Sequence, residues 1–340
     1  MAAFMHVRAE KLYMNRKTCR PRTYRTFYRF DEVNVEWLAT HFLPDSPETR
    51  GGSLTNKERM ETFLRYLSDP GFQVGVGEDK GIHQSTVCKT FSNVLTHVVA
   101  KAQIWIKFPA TLQDIREAQQ LWQTGNEIPG AVGAIDCTHV KILKPGARRS
   151  HGDEYINRKG SESINVQATC NAVERFTSVD ASWPGSAHDS RIWKNSDVGR
   201  TMIHSRHGGL LLGDEGYGIA SWLLTPYSDP VLPFEKAFNR AHSKERVIIE
   251  RCFGQVKRRF PILNGKIRVR LVKVPSVIVA CFMLHNISKY LDDQDDFPEL
   301  ENDEPDTDSD DDEDDEDGDR RIRQRGQNRR RAIAELLNSD

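Results

Sequence analysis

Apolar positions recur at helical spacing up to about residue 125 and shift toward strand-like runs from about residue 128. Thr55 and Glu58 form a T-x-x-E capping box, and Met60, Phe63, Leu64 and Leu67 then follow at helical spacing until Pro70 and Gly71 stop the pattern. After Gly81 a second helix begins with Gln84, Ser85 and Thr86 and carries Val87, Phe91, Val94, Leu95 and Val98 on one face. Farther on, residues 131–142 read as a strand with a carboxylate in its middle, and residues 164–173 and 176–182 as a pair joined at Glu174 and Arg175. Residues 210–212 form another short strand, ending at Gly213 and Asp214. Helices are expected over 189 to about 202, over 244–260 with Pro261 as the stop, and over 274–291.

Strands paired by a hairpin and then alternating with helices predict a mixed α/β sheet covered by helices, with an all-helical region before it. The expected division is a basic arm and helical region over 1–125, an α/β domain over 128–290, an acidic segment over 291–319 and an Arg-rich tail over 320–340. Within about 54–100, a helix, a short Gly-containing turn and a second helix look like the helix-turn-helix of DNA-binding proteins, with Gln84, Ser85, Thr86 and Lys89 as the exposed candidates. A helical bundle that only scaffolds the α/β domain fits the same pattern.

Charge sharpens this picture. The whole chain, 340 residues with a net charge of −1, looks neutral, yet residues 292–319 hold 19 Asp and Glu and no Lys or Arg. Residues 320–340 hold seven Arg against Glu335 and Asp340, which leaves residues 1–291 with 41 basic and 28 acidic side chains. A body with that excess of positive charge draws polyanions, so nucleic acid is the first partner expected. The acidic run is too charged to pack and is expected to be disordered, free to fold back on the basic body. RRIRQRGQNRRR is either a nuclear-import signal or a helix that balances the acidic run. In the first 30 residues, Tyr13, Tyr24, Phe27 and Tyr28 interleave with basic residues, as in a phosphate-contacting arm or a packed helix. No secretory signal is apparent, and the apolar run 277–284 falls short of the roughly 20 residues that cross a bilayer, so no membrane association is expected. The six cysteines lack zinc-site pairing and read as reduced thiols.

Three carboxylates carry the chemistry. Asp136 interrupts the apolar strand VGAIDCTHV, where an unpaired charge costs several kcal/mol and is relieved by a bound cation or by a hydrogen-bonding neighbour. Asp214 stands where a strand gives way to a Gly-rich loop, a place that suits either a turn residue or a site residue. Glu250 belongs to a helical stripe with Arg246, Gly254 and Lys257, beside the buried stripe Ile249, Cys252, Phe253, Val256 and Phe260. Asp136 and Asp214 have 77 residues between them, and Asp214 and Glu250 have 35. His188 and Asp189 in WPGSAHDS fit either ligand orientation or, for Asp189, helix capping; His139 alternates away from Asp136 as a packing residue, and His242 fits either role. Arg158, Lys159, Lys257, Arg258 and Arg259 are candidate phosphate-backbone contacts.

Two strand aspartates and a helix glutamate at these separations resemble the DDE transposases and integrases, which share an RNase H-like fold. The blocks GAIDCTHVKI, YINRKG, SINVQATC, WPGSAHDSRIW, LLGDEGY, AHSKERVIIERCFGQVKRRF and CFMLHNIS are similar to those of the PIF/Harbinger transposases, and most of all to their transposase-derived, HARBI-type nucleases. The likeness spans about residues 130–290, with the helical region before it in the position where that family also carries a helix-turn-helix. It implies an RNase H-like mixed sheet flanked by helices and a metal-dependent endonuclease that hydrolyses DNA phosphodiesters. Asp136, Asp214 and Glu250 would then be both catalytic and metal-ligating, holding magnesium or manganese, with two ions expected. It also implies a Myb/SANT-like DNA-binding partner, a homodimer, and residence in nucleus and cytoplasm. A catalytically silent scaffold for DNA or protein, or a still-mobile transposase, would share the same blocks.

Overall fold

The computed structural model describes residues 23–44, 54–69, 72–145, 152–205, 207–293, 297 and 317–338. Five helices open it: α1 (Tyr24–Tyr28), α2 (Glu32–Phe42), α3 (Asn56–Leu67), α4 (Gln73–Lys80) and α5 (Gln84–Val99). The Thr55–Glu58 capping box is formed as its residue types require, and the expected apolar face of α5 is buried, with Phe91 edge-on to Tyr66 of α3 at 4.6 Å. Between the two expected helices lies α4, ended by Gly81 in the left-handed conformation, φ 66°. Residues 73–80 carry too little apolar periodicity to announce it. Gln84, Ser85 and Lys89 are exposed at the start of α5, and Thr86 is half-buried. Short α6 (Ala102–Trp105) and α7 (Leu112–Gln123) lead into the sheet.

The sheet consists of β1 (Ala131–Lys141), β2 (Ser163–Cys170), β3 (Phe176–Pro184), β4 (Leu210–Leu212) and β5 (Leu223–Leu224), in the order β3-β2-β1-β4-β5. β1, β2 and β3 are antiparallel, while β4 and β5 run parallel to β1. This is the RNase H-like mixed α/β arrangement, with helices against the sheet and the helical region before it. β1 pairs with β2 from Ala134 to Lys141, but with β4 only between Ala131 and Ala134. Beyond Ala134, one edge of β1 therefore has no β4 rung, and Asp136 lies on that stretch. Gly133 is needed just before it, because a Cβ there would stand 2.3 Å from the Cys170 carbonyl oxygen.

The helix expected over 189–202 is two helices, α8 (Asp189–Asn195) and α9 (Asp197–His204), because Ser196 leaves helical geometry and caps α9 by accepting the Gly199 amide. The helix expected from residue 244 begins eleven residues earlier as α10 (Pro233–Arg259), with Pro233 at its first turn and Glu235 accepting the Val231 and Leu232 amides. Helix α11 (Val274–Tyr290) is the core helix of the fold. Together with the preceding turn, the stretch Leu271–Tyr290 has the length and apolarity to cross a bilayer, in contrast to the shorter run read from sequence, but it is largely buried inside the protein.

Part of the expected acidic, unpacked segment is packed. Asp293 is fully buried between Arg25 and Arg259, both at 2.9 Å, and Phe297 lies under the guanidinium groups of Arg25, Arg29 and Arg259. Residues 294–296 and 298–316 lie outside the described residues. The Arg-rich stretch is helix α12 (Asp317–Leu337), laid on α10 and the edge strand β5. Arg329 donates to the carbonyls of Ser221 and Gly208, and Arg330 to those of Thr225 and Pro226. These two arginines satisfy carbonyls near a sheet edge, while most of the acidic run lies outside the described residues.

Candidate metal centre

Asp136 leaves β1 on the face that carries Ala134, Thr138 and Val140, so it is the one charge in that row. Asp214 stands two residues past the end of β4, where its Oδ1 accepts the Gly216 amide at 3.1 Å and its carbonyl accepts the Tyr217 amide. It is a turn residue and a site residue at once. Asp189 comes from the first turn of α8; His188 is the residue at the cap, and no side chain completes that cap. Freed of the capping role, the Asp189 carboxylate is buried and accepts Asn165 Nδ2 at 3.0 Å, while the same amide nitrogen donates to the Ala187 carbonyl.

The three aspartates converge: one carboxylate oxygen from each of Asp136, Asp189 and Asp214 lies within 4.8 Å of the others. At an effective dielectric of about 20, unit charges at that separation repel by roughly 3.5 kcal/mol per pair. The cost appears in Asp136, whose carboxyl is held well above the usual range, first by burial and then by the charge of Asp214, against the opposing pull of Arg246. Clustered oxygens of hard, negative character, too crowded to be stable alone, suit a divalent cation of the magnesium or manganese type. The three aspartates therefore fit a divalent cation of the kind the family resemblance implies.

Glu250 is placed differently. It is exposed on α10 and is joined to Asp136 through one guanidinium, Arg246 Nη1 donating to Asp136 Oδ2 at 2.9 Å and Nη2 to Glu250 Oε1 at 2.6 Å. Arg246 and Glu250 are one helical turn apart, on the stripe read from the sequence. The register of α10 is fixed by Glu245, buried on the adjoining face, which accepts Trp122 Nε1 at 2.8 Å and the amides of Glu127 and Ile128. Nothing in the sequence marked that residue, since its partners lie more than a hundred positions away.

His188 Nδ1 and Arg158 Nη2 are 2.7 Å apart, which brings the exposed Arg158 beside the residue preceding Asp189. Arg158 and Lys159 project from a loop closed by Asn157, whose Oδ1 accepts the amides of Lys159 and Ser161. His139 pairs with Ser163 at 3.0 Å on the sheet face away from Asp136. His242 is buried, with Nε2 3.1 Å from the Leu224 carbonyl, and burial pushes its pKa down to about 4. It is a neutral packing residue that ties α10 to β5. Arg259 likewise serves the Asp293 contact rather than a solvent-facing role.

Residues 135–286 match the DDE superfamily endonuclease family. This chain belongs to the HARBI-type DDE superfamily nucleases. It is 31% identical over 289 residues to the Bos taurus protein named "Putative nuclease HARBI1", covering 78% of this chain and 82% of that one. The Homo sapiens protein of that name is 30% identical with the same coverage. "Protein ALP1-like" of Arabidopsis thaliana is 26% identical over 306 residues, 82% of this chain and 74% of its own length. No solved structure matches. Family and fold thus agree with the architecture expected from the sequence, and the aspartate group lies within the family's span.

Proposed function

We propose that this DDE nuclease is a metal-dependent endonuclease hydrolysing DNA phosphodiester bonds, with Asp136, Asp214 and Glu250 as its catalytic and metal-ligating residues. The observation that carries the reading is the meeting of Asp136 and Asp214, with 77 residues between them in sequence, in one crowded carboxylate group. Bound magnesium or manganese, two ions in all, would activate the attacking water and stabilise the departing oxygen. The protein's own part is positional. β1 and the β4 turn hold Asp136 and Asp214 on rigid backbone, Asn165 fixes Asp189 beside them, and the Glu245 anchor keeps Glu250 facing β1. The excess positive charge of residues 1–291, with Arg158 and Lys159 exposed near the site and Gln84, Ser85 and Lys89 exposed on α5, supports DNA as the substrate. In this reading the helical region over about 54–100 serves as the DNA-binding helix-turn-helix, with α5 presenting Gln84, Ser85 and Lys89, the active form is a homodimer, and a Myb/SANT-like partner supplies target choice and entry from cytoplasm to nucleus.

A second reading, a DNA-binding or protein-interaction scaffold without catalysis, is favoured by one contact: Glu250 bonds to Arg246 and stands outside the aspartate group. Plasmid nicking with Mg or Mn titrated into wild type and into Asp214→Asn separates the two. Nicking that requires the metal and falls by at least about a hundredfold in the variant, the upper end of what outer-shell partners of a metal site are worth, is the expected result. Metal binding and nicking both absent from wild type, with the partner added, would leave the scaffold.

A further inference from the structure

Residues 266–273, between α10 and α11, tie the catalytic sheet to the helical region. At one end the Ile267 amide donates to the Lys141 carbonyl at 3.0 Å, in a parallel bridge that carries on from β1, and Lys266 pairs with Glu162. At the other end Lys273 Nζ donates to Ser92 Oγ of α5 at 2.7 Å, one helical turn from the exposed Lys89. Between these ends burial alternates as in a strand: Ile267 is buried, Val269 and Leu271 are half-buried against the core, and Arg268 and Arg270 are exposed. The Arg268 guanidinium lies over the exposed ring of Phe72, just before α4, at 4.4 Å from the ring centroid. Neither arginine has an ion pair among the described residues, and Asp79, exposed on α4, is taken up by Arg65.

We propose that Arg268 and Arg270 contact the phosphate backbone of the same DNA duplex that α5 meets through Lys89, so that this linking segment is a second DNA-contacting element beside the helix. Lys89, Arg270 and Arg268 are cations of one sign on adjoining elements, and a polyanion meets all three at once. A guanidinium stacked on an aromatic ring keeps its charge and turns its N–H edge outward, which suits a phosphate oxygen. The bridge to β1 adds a consequence. Asp136 stands five positions before Lys141, about 17 Å along the strand, so a duplex gripped here is held at a fixed reach from the carboxylates. This contact presupposes the DNA-binding reading of α5 but not the metal chemistry.

The test is fluorescence anisotropy of a short labelled duplex with the full-length protein in EDTA, repeated over a series of salt concentrations and with a second duplex of unrelated sequence. Each phosphate contact contributes about 0.9 to the slope of log affinity against log salt, so R268Q combined with R270Q should lower the wild-type slope by about 1.8 and weaken binding to both duplexes alike. K89Q should lower it by about 0.9. R268K combined with R270K keeps both charges and should keep the slope, whereas loss of packing against Phe72 alone would not be rescued in this way. R331Q, on α12 and already paired with Glu335, is the control and should change nothing. Circular dichroism on each variant verifies the fold. Wild-type affinity and slope in the double Gln variant, with K89Q weakened, would overturn the proposal, leave α5 as the DNA contact and assign the two arginines to an acidic protein surface. A loss in the double Gln variant with none in K89Q would remove α5, and the shared surface with it. A double Lys variant as weak as the double Gln one would reduce the arginines to packing. No duplex bound by wild type at low salt would sink both the contact and the DNA-binding reading.

Discussion

Asp136 shows how one residue's setting predicts its chemistry. Burial and the neighbouring Asp214 both disfavour its charge, and Arg246 offsets only part of that. Asp136→Asn removes this electrostatic cost, so without metal the variant should melt no lower than wild type. With Mn at about a hundred times its dissociation constant, wild type should gain about 2.7 kcal/mol and the variant nothing, read as a shift in melting temperature. His242 supplies a second residue-scale prediction. Its folded pKa, about 4, lies below the unfolded value of about 6.5, so between those limits the unfolded chain binds more protons. Stability is therefore full above pH 6.5 and declines as pH falls to about 4, with a loss on the order of 3 kcal/mol from this group. His242→Gln keeps a donor for the Leu224 carbonyl and should flatten the slope of melting temperature over that interval; an unchanged slope would assign it to other groups. At this scale the sequence exposed Asp136 because a carboxylate breaks an apolar row. It left Asp189 open between cap and site, since which one it serves depends on Asn165, 24 residues earlier on another strand.

Elements were legible in proportion to their amphipathic contrast. α3, α5, β1, β4 and α11 fall close to the residues expected, because each has a cap, a stop or a strong apolar pattern. α4 is missed for want of apolar periodicity, whereas the first part of α10 is missed although Phe234, Ala237, Phe238 and Ala241 stand there at helical spacing. The Arg-rich stretch is the largest shift in meaning. Read by charge it is a tail; as α12 it covers a short sheet edge, where unpaired backbone groups otherwise invite pairing with another chain. Gly326 permits the approach, since a Cβ there would stand 2.8 Å from backbone atoms of Ala220. Gly326→Ala should thus separate α12 from β5, although alanine is the better helix former. Hydrogen exchange should show lost protection in α12 and around residues 220–226, with β1 and β2 unaffected. Uniform protection in the variant would mean the helix shifts without leaving.

Across the whole molecule, one buried ionic contact ties the first helices to the end of α10 and the residues just past α11. Asp293, just past α11, forms an ion pair with Arg25 of α1 and accepts from Arg259 at the end of α10, from Asn34 of α2 at 2.6 Å and from the Asp31 amide. Removing one partner of a buried pair leaves the other charge uncompensated, at about 3–5 kcal/mol. Asp293→Ala should lower unfolding free energy by that amount in chemical denaturation, with α1 and α2 becoming protease-sensitive first. A loss under about 1 kcal/mol would show the helical region to be held by its apolar contacts alone. Glu174 plays a similar part at the hairpin tip, where, against the burial that raises it, bonds from Lys289, Gln255 and Arg251 hold its pKa down to about 2.

By itself the sequence determined the fold class, the order of most elements, and two of the carboxylates that meet. Apolar spacing, caps and stops are local properties, and the blocks around Asp136, Asp214 and Glu250 stand in a readable order. Only the tertiary structure decided that Asp189 joins Asp136 and Asp214, that Arg246 lies between Asp136 and Glu250, that Glu245 fixes the helix carrying both, and that the Arg-rich segment seals a sheet edge. Apart from the one-turn Arg246–Glu250 pair, these depend on which distant positions the β1–β4 register and the seating of α10 bring within hydrogen-bond reach. A buried polar group is satisfied by whatever partner the packed chain delivers, and that partner has no signature along the chain.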